Sequence, residues 1–569
     1  MISRFASRAT DFTFSTTLSL FILYLFWGGF GFLNPKDHKW ISGDNIAAYI
    51  AQLYYVDDVW RWPLAANPNF GLDMSTSLTY TGPALPIAFM QKLLGISPEL
   101  QFFGLWLLCM FVLQIQLAQL VGRAVGLSSN QSRVASLLFV SPFLIYRMQF
   151  HFWLTAHFLL LWSIYVAIRY FKRRKVRIWE IGAISIIGYI TVAYLWVMCF
   201  IIMAFPILRE LLLKNLSLRK IRGYALTALA PVFFLYFLFD FGAQKASFFE
   251  ALRMPFTGDY LAYPSNLLAL FNPAVGYQRD CSQGHCYWGG EIIPSHFIQN
   301  FSALSFDLGG VQGNYDAFLY VGLGVILIFL ACLLLQAFNS KPKNVMRKTG
   351  GKFTLLYLST LIAFAVTYRI TVGSLELQFF DIKYLRWALS AFRASGRFMW
   401  IVAYALLVFA LYLLVLRLKP KLVTAVLLCA SLIQIIDLMP ALETRFSEIR
   451  KMTTSELAYS NDIAREFTQI STGKTELRVF PTGSNLGWPL ISYLSWKNDL
   501  ASGLFSSARF NYGEAKRQDE KLSRQICLGK VSRKTLIILS KDSLAGFSKC
   551  KLDSVEKINL GEFIFLRSD

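Results

Sequence analysis

Apolar runs recur along this chain at 13–33, 101–121, 133–147, 152–171, 178–193, 195–213, 223–241, 316–338, 353–372, 398–416 and 422–439. A helix of about 20 apolar residues matches a hydrocarbon core of about 30 Å, so the pattern predicts about eleven transmembrane helices. The loops on alternate sides carry basic clusters: Lys172-Arg173-Arg174-Lys175, Lys214 to Arg222, Lys341 to Lys352 and Arg417 to Lys421. An excess of Lys and Arg marks the cytoplasmic side, so these loops face the cytoplasm. Arg4 and Arg8 precede the first run and no small-residue cleavage site follows it, which reads as a retained first helix starting inside. The odd count then places the tail outside. Three long segments remain for that outer side, 34–100, 242–314 and everything after Pro440, and a site has to be assembled from them.

Within the first outer loop, residues 42–56 place Ile46, Tyr49, Ile50, Leu53 and Tyr54 at helical spacing behind capping-type residues. This predicts an amphipathic helix lying flat on the outer membrane surface. Trp60-Arg61-Trp62-Pro63 follows with interfacial aromatics, and Asn67-Pro68-Asn69-Phe70-Gly71 breaks into loop. The segment 242–314, rich in Gly, Pro, Asn and aromatics, is too polar to span and too long for a connector, and is expected to fold over the membrane face as a cap. Beyond Pro440 the pattern changes to short β-type runs at 477–481, 535–540 and 562–567, with a helical stretch near 511–526. The expected organisation is a transmembrane domain over 1–439 and a small extracytoplasmic α/β domain over 440–569. No internal repeat supports a transporter built from two halves.

Of 569 residues, 55% are hydrophobic and 16% aromatic, and the mean hydropathy is +0.46. These values exclude an ordinary soluble protein. The net charge of +22 reports topology rather than nucleic-acid binding, since no basic stretch outside the membrane is interleaved with stacking aromatics. Cys109, Cys199, Cys332 and Cys429 fall inside predicted spans, whereas Cys281, Cys286, Cys527 and Cys550 fall in outer segments where disulfides form. Two local bridges, Cys281–Cys286 and Cys527–Cys550, are expected. The alternative for the first pair is a zinc site with His285, for which no further ligands are evident.

No cytoplasmic segment carries a phosphate-binding glycine loop, a dinucleotide fingerprint or an HExxH helix. The outer face holds three groups. Asp44 begins the predicted surface helix, Asp57-Asp58 ends it, and Asp37 and His38 precede it. A carboxylate held above a bilayer can act as a general base toward an acceptor hydroxyl; the alternative is that Asp44 caps the helix and Asp57-Asp58 are solvated. Arg147 and His151, four apart, would share one helix face, with His157 in the next span; the alternative is simple anchoring at the interface. Arg369, Lys383, Arg386, Arg393 and Arg397 cluster outside, where short loops are ordinarily poor in basic residues. A phosphate at headgroup level suits such a cluster, since guanidinium forks bind phosphate oxygens bidentately; pairing with Asp381, Glu376 or lipid headgroups is the alternative.

Several strings together resemble a bacterial family of multi-spanning membrane proteins: Tyr80-Thr81-Gly-Pro-Ala-Leu-Pro, Gln101-Phe-Phe-Gly-Leu-Trp106, the Arg147/His151/His157 run, Tyr315-Asp316-Ala-Phe-Leu-Tyr-Val-Gly322, Phe392-Arg393-Ala-Ser-Gly396-Arg397-Phe-Met-Trp400 and Gln434-Ile-Ile-Asp437. That family is similar to the GT-C glycosyltransferases, which move a sugar from a polyprenyl-phosphate carrier on the extracytoplasmic face. The resemblance implies a GT-C-like fold and an acidic base in the first outer loop, which maps onto Asp44 with Asp57-Asp58 as rivals. Where relatives often carry an Asp-Ser-Ile-Pro-type string, this chain has Thr81-Gly82-Pro83-Ala84, which puts an acid's role there in doubt.

The expected function is an inverting glycosyltransferase of a bacterial inner membrane. It would take a polyprenyl-phosphate-linked sugar as donor and a cell-surface glycan or lipid as acceptor. Asp44 would be the base, Arg393, Arg397, Arg386 and Arg147 the donor-phosphate ligands, and His151 and His157 orienting groups. No cofactor is demanded, and a divalent metal stays open. The rival readings are a transporter or flippase of lipid-linked glycans and a non-enzymatic envelope scaffold.

Overall fold

The computed structural model describes residues 2–74, 77–81, 84–173, 177–213, 217–241, 262–274, 301–304, 306–311, 313–338, 351–379, 389, 392–451, 455, 457–484, 486–505, 512–548, 550, 555–561 and 563–568. Its helices are α1 Ile2–Trp27, α2 Asp44–Asp57, α3 Ala84–Leu94, α4 Phe103–Val125, α5 Ser129–Ser136, α6 Pro142–Phe150, α7 Phe158–Arg173, α8 Ile178–Thr191, α9 Ala193–Leu212 and α10 Leu218–Phe239. They continue with α11 Leu323–Phe338, α12 Gly351–Val366, α13 Met399–Arg417, α14 Pro420–Lys451, α15 Asn461–Ser471, α16 Trp488–Lys497, α17 Tyr512–Cys527 and α18 Lys541–Ala545. A hairpin of β1 Arg369–Val372 and β2 Leu375–Gln378 stands apart from a sheet of β3 Glu476–Phe480, β4 Ala501–Ser502, β5 Thr535–Leu539, β6 Glu556–Leu560 and β7 Phe563–Arg567.

Among the described residues, seven helices are long and apolar enough to cross a membrane: Ala9–Trp27, Phe103–Val125, Phe152–Lys172, Ala193–Leu212, Arg219–Phe239, Ser395–Arg417 and Pro420–Lys451. Shorter apolar helices lie at three further predicted spans, Ile178–Thr191, Leu323–Ala337 and Lys352–Val366. The chain is thus a multi-pass membrane protein with a small C-terminal α/β sheet domain.

Three predicted spans come out differently. The run at 133–147 is not one helix. Ser128 and Gln131 cap α5 reciprocally, the backbone tightens at Leu137–Phe139, and Pro142 opens α6 from an extended Ser141. Proline has no N–H to give a continuing helix but suits a first turn, so the apolar run is split there. The run at 353–372 stops as a helix at Val366, and residues 369–372 pair antiparallel with 375–378. The run at 316–338 becomes helical only at Leu323, whose N–H donates to Asp437 Oδ2 at 3.0 Å. At the other end, α14 runs through Pro440 to Lys451.

The sheet has the order β4-β3-β5-β7-β6, with β4, β3 and β5 parallel and β7 antiparallel to both β5 and β6. Alternation along β5 sends Leu536 and Ile538 to a core with Phe467 of α15 and Leu494 of α16. Ile537 and Leu539 face the opposite core with Leu522 and Ile526 of α17. Helices therefore cover both faces, as the unbroken apolar run of this central strand requires. Cys527 and Cys550 form the expected disulfide across the second core; Cys281 and Cys286 lie outside the described residues.

The predicted surface helix exists as α2, but its surroundings differ from expectation. Every residue from Asn45 to Tyr55 is buried, as in a helix enclosed on all sides rather than one lying on a bilayer. Gln52 Nε2 donates to Leu100 O at 3.1 Å on one side. On the other, Tyr54 OH lies 2.9 Å from Ser492 O and 3.1 Å from Leu500 O of the C-terminal domain. Gly71 N donates to Ser502 O at 2.7 Å and Arg478 Nη1 to Asp73 Oδ2 at 3.0 Å. The first long loop is thus sandwiched between the helical bundle and the sheet domain.

Candidate active site

Asp44 is the first helical residue of α2. The turn before it is made by Gly43 at φ 59°, and no side chain caps the helix. Released from capping, the carboxylate turns to the junction of α6 and α7, where Oδ2 lies 3.2 Å from His151 Nε2. The neighbouring Asn45 secures that junction. Its Nδ2 donates to Gln149 O at 2.9 Å and its Oδ1 accepts from Phe152 N at 3.1 Å, one backbone contact on each side of His151.

Arg147 and His151 do not share a helix face as the spacing predicts. α6 ends at Phe150, and His151 leaves it at φ −146°, ψ 81°, outside the helical region. The last turn still joins them, since His151 N donates to Arg147 O at 2.9 Å. Arg147 is wholly buried. Its guanidinium lies 5.2 Å from the ring centres of both Tyr146 and Trp400; Nη1 donates to Asp316 Oδ1 at 2.9 Å, and Nη2 reaches Asp316 O.

Arg397 completes the group, with Nη2 2.8 Å from each oxygen of Asp316. This meeting depends on Gly396. A Cβ there would overlap the Ala317 side chain and stand 2.8 Å from Ser265 N, so only glycine lets the 395–398 turn lie against the 314–317 turn that carries Asp316. Burial alone would push the Asp316 carboxyl up. The Arg397 and Arg147 guanidiniums and the nearby His151 outweigh it and hold Asp316 well below the usual carboxylate range. Two guanidiniums against one carboxylate leave this buried group one positive charge in excess, in a setting where water screens little.

Arg393 lies on the same stretch, its guanidinium 5.0 Å from the Tyr263 ring centre. Tyr263 N and Gly396 N bond across the two segments, to Arg393 O at 3.2 Å and from Gly396 to Tyr263 O at 3.0 Å. His157 belongs to the core beneath. It is fully buried, with Nδ1 3.0 Å from Tyr404 OH and its ring centre 4.4 Å from Trp400, the same indole that carries Arg147. Asp57 and Asp58 close the far end of α2, about 20 Å from Asp44 by helical rise. Asp57 is exposed, and Asp58 binds Arg61, with Arg61 Nη2 at 2.9 Å from Oδ1. Arg386, Lys383, Asp381, His285 and His296 lie outside the described residues.

The structure therefore brings Asp44, His151, Arg147 and Arg397 together and leaves Asp57, Asp58 and His157 apart. Asp316 and Asn45 were not singled out from sequence as site residues. An acid placed where an apolar run had been expected was the available signal for Asp316; nothing in the sequence marked Asn45. Among the described residues, no cluster of three or more His, Cys, Asp or Glu side chains could hold a metal.

An apolar cavity of about 510 Å³ is lined by Trp106, Met110 and Leu117 of α4, Phe158 and Trp162 of α7, and Ile187 of α8. Its Trp106 indole donates to Phe152 O at 3.3 Å, next to His151.

A family model described as a domain of unknown function, DUF6311, matches residues 17–439, leaving out the sheet domain. No curated protein matches the chain. Among solved structures it is similar to the crystal structure of ArnT from Cupriavidus metallidurans in the apo state, at 12% identity and a TM-score of 0.44, over 97% of each chain.

Proposed function

This chain belongs to the family described as a domain of unknown function, DUF6311, and we propose that it is a membrane glycosyltransferase. It transfers a sugar from a polyprenyl-phosphate donor to a glycan or lipid acceptor on the extracytoplasmic face of a bacterial inner membrane. The face bearing α2 and the sheet domain is the extracytoplasmic one, because the basic clusters at 172–175, 214–222 and 417–421 belong to the opposite ends of the spans.

One observation carries the reading: a half-exposed carboxylate, Asp44, is joined through His151 to a buried Arg147–Asp316–Arg397 group that, among the described residues, carries one positive charge in excess. Glycosyl transfer from a lipid phosphate needs both functions. Asp44 takes the proton from the acceptor hydroxyl, whose oxygen forms the new bond to the anomeric carbon from the side opposite the phosphate. The bond from that carbon to the phosphate oxygen breaks with its electron pair on the phosphate. The excess charge of Arg147 and Arg397, with Arg393 beside them, stabilises the developing anion. The apolar cavity lined by Trp106, whose indole reaches Phe152 O, suits the lipid chain of the donor.

The test is transfer by the purified chain in detergent from a synthetic polyprenyl-phosphate sugar, with donor binding measured in parallel. Asp44→Asn should lose about 10²-fold or more in rate while donor binding survives. Arg397→Ala should weaken donor binding as well, since a charge-assisted contact is lost in ground and transition states alike. Full activity in Asp44→Asn with loss in Asp57→Asn or Asp58→Asn would move the base along α2. Full activity in all three would favour transport.

A further inference from the structure

The contact between Asp44 and His151 has a direction. A carboxylate oxygen only accepts, so the 3.2 Å contact from His151 Nε2 to Asp44 Oδ2 places a hydrogen on Nε2. In the neutral ring the lone pair then sits on Nδ1, which is buried and finds no partner among the described residues. Reach differs between the two partners. The Asp44 side chain is 49% exposed, the His151 side chain 18%. An incoming hydroxyl therefore meets Asp44, not the imidazole lone pair. The imidazole is itself fixed, because Asn45 grips Gln149 O and Phe152 N on either side of it, and its ring meets Trp153 edge-on at 5.2 Å.

We propose that His151 is a positioning residue that holds Asp44 as the base through its Nε2–H, and that protonation of its ring switches the site off. The proposal rests on the reading of Asp44 as base and gives that site a pH control. With one oxygen held, Asp44 keeps its other oxygen for the acceptor proton without sampling the rotamers of a free surface carboxylate. The groups that act on the His151 ring are Asp44 from α2, Arg397 from the 395–398 turn and Asp316 from the 314–317 turn. Burial lowers its pKa from the ordinary 6.5 and outweighs the hydrogen bond and charge of Asp44, which push the other way. The neutral ring is the working form at neutral pH. Below that range a second proton has only the buried Nδ1 to occupy, which meets no acceptor among the described residues, and the imidazolium draws Asp44 into an ion pair that weakens it as a base.

Two substitutions separate this role from packing. His151→Gln offers an amide N–H near the position of Nε2–H and does not titrate; His151→Leu fills the space and donates nothing. With the full chain and a synthetic polyprenyl-phosphate sugar, His151→Leu should lower kcat about 10-fold or more with KM for donor nearly unchanged. His151→Gln should stay within about 3-fold of the parent and lose the fall in rate below pH 6.5. A readout free of substrate is NMR of ring-labelled histidine, where five histidines make the His151 signal assignable by its loss in His151→Gln. Asp44→Asn should lower the His151 pKa, since the carboxylate supports the imidazolium. Parent-like rate and pH profile in His151→Leu, or a His151 titration indifferent to Asp44→Asn, overturns the proposal. If Asp44→Asn is inactive while His151→Leu is unaffected, only this inference falls; if Asp44→Asn is fully active, the base reading falls and the switch with it.

Discussion

Among the described residues, two groups of one Asp between two Arg stand at opposite ends of the helical bundle, and they are built differently. Near the N-terminus, Asp11 of α1 accepts from Arg123 Nη1 at 2.7 Å and from Arg133 Nε at 2.8 Å. Those arginine side chains are 30% and 19% exposed, and Arg133 also donates to Asn130 Oδ1 at 3.0 Å. This group ties α1, α4 and α5 together where water can reach it. At the end bearing α2, Arg147 is fully buried against two aromatic rings and Arg397 nearly so, and both retain a buried Nε that has no partner among the described residues. Only that second group has a reachable carboxylate and an imidazole at its side. The same three side chains are a staple in one place and an anion-seeking site in the other; burial and the neighbouring Asp44–His151 pair make the difference.

Breaking each group in turn gives the largest contrast. Asp316→Asn leaves two buried guanidiniums without a counter-ion, and should destabilise the protein by about 3–5 kcal/mol, the cost of removing one partner from a buried pair. Arg123→Ala leaves Asp11 paired with Arg133 in a more exposed setting and should cost about 1 kcal/mol or less. Denaturation midpoints of the two variants in one detergent decide it. Equal losses would mean that the two groups are both staples.

A smaller effect belongs to the sheet domain. Replacing Cys527 and Cys550 by Ser should remove roughly 3 kcal/mol, since the bridge closes a chain segment 23 residues apart in sequence. Because α2 is held by Ser492 O and Leu500 O of that domain, proteolysis of the variant near 500 should also loosen α2, measured as faster hydrogen exchange over 44–57. Unchanged exchange in α2 after cleavage would show that the helical bundle alone secures Asp44.

The smallest effect is a pH dependence of stability. Burial lowers the pKa of His151 and of His38, in the latter case against the opposing charges of Asp37 and Glu99. Unfolding lets both take up protons at their ordinary 6.5, so their contribution is present above that value and is lost as pH falls below it. The parent should lose stability on acidification from pH 6.5 more steeply than His151→Gln. Parallel curves would mean that His151 titrates alike folded and unfolded.

Much of the fold was legible because hydropathy and period-2 alternation act locally. The long apolar runs became helices, the helix after Gly43 was found within two residues, and the runs at 477–481, 535–540 and 562–567 became β3, β5 and β7. The break at 133–147 turned on Pro142 inside an otherwise apolar run, where composition outweighed one residue's missing N–H. The burial of α2 was not legible, since an amphipathic pattern looks the same whether a bilayer or a folded domain covers the helix. At the site, Asp44, Arg147, His151 and Arg397 were named from their chemistry. Asp316 was hidden because its bond to Arg147 joins residues 169 apart, and the burial of His157 against Trp400 leaves no trace in the spacing of histidines.

The central claim is that the end bearing α2 consumes a lipid-linked sugar. Its most direct test is mass spectrometry of lipid-linked glycans from cells lacking this chain and from cells carrying only Asp44→Asn. The account predicts that the same polyprenyl-phosphate monosaccharide accumulates in both. Accumulation of a completed lipid-linked glycan, or of nothing, would contradict it.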